Sequence, residues 1–308
     1  MMTSATARLA APVACCLLLM AASARAQHLE PRAYANTPVG MNFLIAGYTY
    51  STGGLSIDPA LPLRNSKLDV HAPILAYAHA FDAWGKSAKF DTVLGGGCLE
   101  GTADVNGVPG KREICGMLDP TFRVSMNLYG APALQLKDFA SYRQDLIVGA
   151  SVQVQAPWGQ YDPVKLVNLG TNRWSFRPEL GVSKALGALT LEAILSATVY
   201  TTNDDFFGGQ TREQDPVVAT QLHVIYQFAG GTWLALDANY YTGGQTTLDG
   251  VQQNDELGNS RFGLTLAIPL DRKHSLKLYT SEGVSVRTGT DFNVYGLAWQ
   301  YRWGGGLP

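Results

Sequence analysis

The chain has 308 residues, of which 46% are hydrophobic and only 16% charged, with 33 glycines and 14 tyrosines. Its 23 basic residues stand against 25 acidic ones, a net charge of −2, so it lacks the basic face that nucleic-acid binding requires. Many glycines and aromatics with few charges suit an all-β chain rich in turns.

Residues 1–26 read as a secretory signal peptide. Arg8 supplies a positive charge, "LAAPVACCLLLMAA" a short apolar run, and "ARA" the small residues before a cleavage site. The run is too short to cross a bilayer as a helix. Cys15 and Cys16 do not read as a lipoprotein signal, because the apolar run follows them and Pro12 stands three before Cys15. Without Arg8 and Arg25 the mature form carries 21 basic and 25 acidic residues, a net −4. Residues 27–39, "QHLEPRAYANTPV", form a periplasmic leader that either folds into a lumen or hangs as a tail.

Twelve strand-like runs follow, near 40–51, 67–82, 87–100, 119–130, 144–157, 172–184, 188–201, 216–229, 232–243, 259–271, 275–287 and 290–303. Most alternate with period two, the mark of a strand with one apolar and one polar face. In "NRWSFRPELGVSK", Trp174, Phe176, Pro178, Leu180 and Val182 oppose Arg173, Ser175, Arg177, Glu179, Gly181 and Ser183. "TFRVSMNLYG", "DLIVGASVQVQA" and "SRFGLTLAIPL" repeat the pattern. Alternation alone does not say which face is the inside.

The links settle the fold class. Long polar segments at 52–66, 101–118, 158–171, 202–215 and 244–258 alternate with tight links at 83–86, 185–187, 230–231 and 271–274. The 131–143 link is longer and has room for a helical turn or two. Long loops at one end and tight turns at the other are the pattern of an outer-membrane barrel. An even strand number puts both termini at the tight-turn, periplasmic end. Aromatic residues near strand ends fit girdles at the lipid–water interface. Tyr295, Trp299, Tyr301 and Trp303 on one face of the last run read as girdle and assembly signal, read upstream of the tail "WGGGLP". The expectation is an all-β, transmembrane, antiparallel up-and-down β-barrel of about twelve strands. Its domains are the signal peptide 1–26, leader 27–39, barrel 40–303 and tail 304–308.

In such a barrel the polar faces line the lumen. They bring Arg123, Arg173, Arg177, Glu179, Asp237, Arg261, Lys277 and Arg287 inward, with His223 and the tyrosines Tyr129, Tyr241 and Tyr279. His71 and His79 read as solvated lumen histidines. Cations outnumber anions there, while the loops are acidic at Asp204, Asp205, Glu213, Asp215, Asp249, Asp255 and Glu256. That predicts a cationic constriction under an acidic mouth, favouring anions. The competing reading pairs Arg177 with Glu179 or Asp237 across the lumen and plugs it. Prolines Pro73 and Pro178 hint at a lateral opening or at simple bulges.

Cys98 and Cys115 flank a glycine-rich polar stretch. They are either a disulfide, worth roughly 3 kcal/mol by chain entropy in an oxidising compartment, or two free thiols. No nucleophile elbow, phosphate loop or metal-ligand spacing is present, so no enzyme activity, cofactor or metal is expected. Asp91, Asp119 and Asp138 are scattered without an evident partner.

From "EPRAYANTPVGMNF" onward, the motifs "LDPTFRVSMNLYGAPAL", "APWGQYDPVKLVNLGTNRWSFRPELGVSKALG", "NDDFFGG", "TREQDP", "YYTGG" and "GLAWQYRWGGG" resemble the proteobacterial family named for the MetA pathway of phenol degradation, often called transporters. The resemblance covers nearly the whole mature chain. It implies an outer-membrane β-barrel of a Gram-negative bacterium, associated by name with uptake of phenols or related aromatic compounds. It brings no established binding residues. The partners expected are outer-membrane lipid and lipopolysaccharide, the barrel-assembly machinery and a small-molecule solute, with no nucleic acid. Three functions follow as expectations: a passive channel for small aromatic or anionic solutes, a plugged structural or adhesive barrel acting through its outer loops, and a lateral-release channel for hydrophobic compounds.

Overall fold

The computed structural model describes residues 29–54, 63–105, 108–287 and 291–307; the signal-peptide reading of 1–26 lies outside them. The strands are β1 (Met41–Gly54), β2 (Leu63–Ala83), β3 (Lys86–Val105), β4 (Val108–Met117), β5 (Thr121–Tyr129), β6 (Leu146–Gln155), β7 (Ser175–Leu186), β8 (Leu189–Tyr200) and β9 (Asn203–Phe206). They continue with β10 (Gln210–Gln214), β11 (Val217–Gln227), β12 (Trp233–Gly243), β13 (Thr246–Leu248), β14 (Val251–Gln252), β15 (Leu257–Pro269), β16 (His274–Ser285) and β17 (Asp291–Gly304). One helical turn, α1 (Leu136–Phe139), occupies the longer link of the tight-turn end.

Twelve of these strands close an antiparallel barrel. The ring runs β1, β2, β3, β5, β6, β7, β8, β11, β12, β15, β16, β17, and β17 returns to β1 from Met41↔Gly304 to Gly54↔Asp291. Closure pairs every edge, which a sheet must do in hydrocarbon, where no water can satisfy its backbone. The remaining strands belong to the long-loop end. β4 folds back on β3, so the stretch expected to be a polar loop at 101–118 is instead a long hairpin rising from the wall. β14, β13, β10 and β9 form a separate four-stranded sheet built from two loops.

The burial pattern is inverted relative to a soluble protein. Leu180, Leu222 and Leu236 are 58, 52 and 58% exposed, whereas their neighbours Glu179, Gln221 and Asp237 are 6, 3 and 1% exposed. The most deeply buried large side chains include Arg261, His223, Asn259 and Asp237. An apolar belt of this extent is untenable against water and is the surface that lipid covers. The polar face of the 172–184 run is therefore the inside.

Pro73 and Pro178 mark neither bulges nor wall gaps. The β2–β3 pairing passes from His71↔Cys98 to Ile74↔Gly95, and the β7–β8 pairing from Phe176↔Val199 to Glu179↔Ser196, each resuming in the same register. A proline removes one ladder donor and leaves the strand in line. The last strand's outward aromatics stack in sequence: Trp299 on Tyr301 at 6.3 Å, Tyr301 on Trp303 at 5.4 Å, with His274 of β16 against Trp299 and Tyr301 at 5.5 and 5.1 Å. Tyr295, farther up the strand, stacks on Tyr50 at 6.5 Å.

Candidate functional site

The leader enters the lumen from the tight-turn end. Gly40 N–H donates to the Ala80 carbonyl at 2.8 Å and Val39 N–H to that of Leu134 at 2.9 Å, which fixes its point of entry. From there residues 38 back to 29 climb inside the barrel. Arg32 N–H donates to Glu192 Oε2 at 2.7 Å, and its guanidinium donates to Gln227 Oε1 at 2.9 Å and lies 5.5 Å from the Trp233 ring. Lys89 donates to the Ala33 carbonyl. Glu30 meets the Arg123 guanidinium with two 2.5 Å bonds, and Arg123 also holds Asp91 at 2.9 Å. Leu29 packs on Gly263.

Tyr34 is the centre of this arrangement. Gly149 of β6 and Gly181 of β7 stand opposite each other in register. A Cβ added to either would lie 2.1 Å from the Tyr34 ring. The two glycines thus form a slot that admits the ring and admits no side chain of their own. At the end of the slot the Tyr34 hydroxyl lies 3.2 Å from Glu179 Oε1 and 3.3 Å from Ser151 Oγ. Arg32, two residues earlier, sits at φ 67°, a left-handed conformation that costs a non-glycine residue roughly 1–2 kcal/mol. The surrounding bonds over-determine that turn, and Ala35 N–H closes it on the Arg32 carbonyl at 3.1 Å.

The lumen is not filled throughout. Beside Leu29 lies a cavity of about 210 Å³, lined by Leu29, Thr49, Ser51, Thr265, Lys277 and Tyr279 among others. The Tyr279 hydroxyl shares a 2.6 Å bond with Thr49, its ring lies over Gly296, and the Lys277 ammonium is 5.8 Å from the ring centre. The chamber therefore offers a cation, an aromatic face and several hydroxyls.

The residues read from sequence distribute as follows. Arg123, Arg177, Glu179, Asp237, Arg261, Lys277, Tyr241 and Tyr279 all point inward. Arg177 pairs with Glu179 at 3.4 Å and donates to Gln153, whereas Asp237 takes His223 at 2.7 Å and Thr265 at 2.9 Å. Arg261 is spent on the wall, donating to Ser281 and to the Phe292 carbonyl. Tyr241 packs on Val217 and Ala219. Arg173 is buried near the loops, over the Tyr200 ring at 4.4 Å and bonded to Gln214. Cys98 and Cys115 stand opposite on β3 and β4 with sulfurs 2.04 Å apart in a disulfide.

Four expectations need correction. The cationic constriction is neutralised in part: Arg123 meets Glu30 and Asp91, the latter left without a partner by the sequence, and Arg177 meets Glu179. Arg287 lies at the mouth, 57% exposed and paired with Glu256 at 2.8 Å, not in the lumen. Tyr129 faces out: a bulge between Asn127 and Tyr129 pairs it with outward Val148. His71 and His79 also face out, His71 on the Tyr48 hydroxyl at 2.6 Å and His79 on Asn42 at 2.9 Å. His79 lies near the end of β2, where polar rings suit the interface, and His71, in the middle of β2, lies against the Tyr50 ring at 4.9 Å, so parity with Asp69 and Tyr77 did not mean lumen. The alternation put Ser151 on the polar face, and entry of the leader was one of two readings of 27–39, but sequence reasoning singled out neither Glu30, Tyr34 nor Lys89. The only signal was two glycines on the polar faces of adjacent strands.

A closed twelve-stranded antiparallel barrel with a lipid-facing apolar belt and a polar interior is an outer-membrane-type β-barrel. The chain belongs to the family described as "Putative MetA-pathway of phenol degradation", which matches residues 47–299. Among solved structures it is similar to the COG4313 outer membrane channel from Pseudomonas putida F1, at 24% identity and a TM-score of 0.76, over 90% of this chain and 100% of that one. It is also similar in fold to the transport unit of the autotransporter AIDA-I from Escherichia coli, at 11% identity and a TM-score of 0.52, over 90% and 93% of the two chains. The translocator domain of autotransporter NalP from Neisseria meningitidis gives 11% identity and a TM-score of 0.51, over 87% and 90%. No curated protein matches the chain.

Proposed function

We propose that the protein is an outer-membrane channel for passive uptake of small solutes, with phenolic or other aromatic compounds as the substrate class and the leader as its gate. The chamber beside Leu29 carries the reading. A packed structural barrel has no use for a cavity of about 210 Å³, whereas a solute path does. Lys277 and Tyr279 give that path an ammonium and a ring face, which attract a phenolate or an aromatic carboxylate by charge and stacking. The family description, which names phenol degradation, and the similar solved structure, which is named a channel, both support it.

A plugged structural barrel is the competing reading, favoured by the ion pairs that tie the leader to the wall. Hydrolase chemistry is not favoured: His223 and Asp237 form a buried pair, yet among the described residues no hydroxyl hydrogen-bonds His223 Nε2 to supply the nucleophile such chemistry needs. The test is current through a leader-deleted barrel in a planar bilayer, with phenol and benzoate tried as blockers. Block that weakens in Lys277→Met supports the reading. A folded, leader-deleted barrel that benzoate and phenol leave unaffected removes the aromatic substrate class.

A further inference from the structure

We propose that a second cleft, at the long-loop end, is a binding site for a small amphipathic anion: an apolar body about one ring wide with a single anionic head. The inference goes beyond the channel reading, since it concerns equilibrium binding outside the leader-filled part of the lumen.

The cleft measures about 270 Å³. An empty apolar cavity of about 150 Å³ suffices for benzene, so a substituted ring fits. Its walls are apolar: Leu68 of β2, Phe207, and Val164, Leu166 and Val167 of the segment between β6 and β7. The floor is set by register. Gly101 of β3 pairs with Leu68 on one side and with Arg112 of β4 on the other. A Cβ on Gly101 would lie 2.8 Å from Leu68 Cδ1, so the glycine lets the Leu68 side chain lie against the β3 backbone, where a larger residue would push it aside.

Arg112 supplies the specificity. Its Nε donates to the Val167 carbonyl at 3.2 Å, which anchors the guanidinium in the cleft wall. Its Nη2 is buried and has no hydrogen-bond partner among the described residues. A buried donor of a charged group left unmatched is costly, and a carboxylate is the group whose geometry matches a guanidinium edge. Lys67 and Lys165 stand at the rim, and no aspartate or glutamate lines the cleft among the described residues. In a chain with more acids than bases, that local reversal of charge selects an anion.

The site is preformed. The Cys98–Cys115 disulfide clamps the hairpin that carries Gly101 and Arg112. The facing segment is tied by Asp162 N–H to Asn168 Oδ1 and by Asn168 Nδ2 to the Asp162 and Lys165 carbonyls, each at 3.0 Å. Gly208 N–H holds the Pro163 carbonyl at 3.0 Å and so fixes Phe207 beside it. Little ordering remains for a ligand to impose.

The experiment is calorimetric titration of full-length, detergent-refolded protein with benzoate, benzyl alcohol and inorganic phosphate. Benzoate should bind at least tenfold more tightly than either of the others. Arg112→Gln should remove that preference, and Leu166→Trp, which fills the cleft, should abolish binding. Arg112→Lys keeps the charge without the planar fork and should give an intermediate affinity, so the result does not hang on one variant's folding. The titrations are run in parallel in a Lys277→Met background, which removes the ammonium of the lumen chamber, so that the benzoate binding that remains there reports the cleft. Equal binding of benzoate and benzyl alcohol, phosphate binding as tight as benzoate, or, in the Lys277→Met background, benzoate binding that is lost outright or that neither Arg112→Gln nor Leu166→Trp weakens, overturns the assignment. A barrel that passes no current leaves these outcomes unchanged, so this proposal and the channel reading fail separately.

Discussion

Truncating Tyr34 to alanine should release the leader from the lumen. The side chain is 2% exposed and fills the slot between Gly149 and Gly181, with its hydroxyl on Glu179 and Ser151. Removing a buried aromatic ring costs about 3–5 kcal/mol. Taking about 4 kcal/mol, the released fraction rises about a thousandfold, since each 1.4 kcal/mol is a factor of ten. The left-handed turn at Arg32 adds nothing to hold the leader once the ring is gone. Trypsin provides the assay. Arg32 is enclosed by Glu192, Gln227 and Trp233 when docked, so cleavage after it draws on the released population alone. The product beginning at Ala33 is followed by mass spectrometry. Tyr34→Phe keeps the ring and loses a bond to a carboxylate, about 1.5–3 kcal/mol, and should accelerate cleavage about ten- to a hundredfold. Equal cleavage rates for wild type and Tyr34→Ala would refute the idea that this slot holds the leader.

The same slot can be blocked from the wall: Gly181→Ala places a methyl within 2.1 Å of the ring and should expose Arg32 to trypsin while the barrel keeps its heat-modifiable mobility on a gel. Arg123→Gln strands Glu30 and Asp91 in the lumen, and breaking a buried pair costs about 3–5 kcal/mol; a leader that stays protected would show that these bonds contribute little. Replacing Cys98 and Cys115 by serine should loosen the β3–β4 hairpin by about 3 kcal/mol on the chain-entropy account, seen as faster hydrogen exchange confined to residues 98–115, with the barrel strands unchanged. In the turn between β15 and β16, the Lys273 and His274 backbone N–H groups hold the Asp271 carboxylate below its usual range. A depressed folded value means the turn's extra stability is present above the unfolded value of about 3.9 and is lost as pH falls through the folded one; an NMR titration midpoint at or above about 3.9 would contradict it.

The barrel was legible because lipid reverses the usual alternation without destroying it. In β7 and β15 burial alternates along the strand as the sequence pattern does, and link lengths told which end carried the loops. Parity failed where the backbone departs from period two or where the outward face leaves the hydrocarbon. At Tyr129 a bulge moved one residue across the wall. At His71 and His79 polar outward rings imitated a lumen face. The β3–β4 hairpin was hidden because the strand continues above the membrane, where neither lipid nor core imposes a pattern. Charge misled at Arg123, which read as part of a cationic lining until Asp91 and Glu30 of the leader came into place, whereas the pairing of Arg177 with Glu179 was one of the two readings the sequence offered. The leader's own path has no periodicity, and what marked it were Gly149 and Gly181, whose vacancy shows on the sequence but whose occupant does not.

The most direct measurement is single-channel current in a planar bilayer from wild type and from a chain lacking 29–38, both shown to be folded. The account predicts a largely closed wild type with brief openings, and steady conductance once the leader is gone. A leader-deleted barrel that is folded, inserted and silent would contradict it, because the leader would then not be what closes the pore.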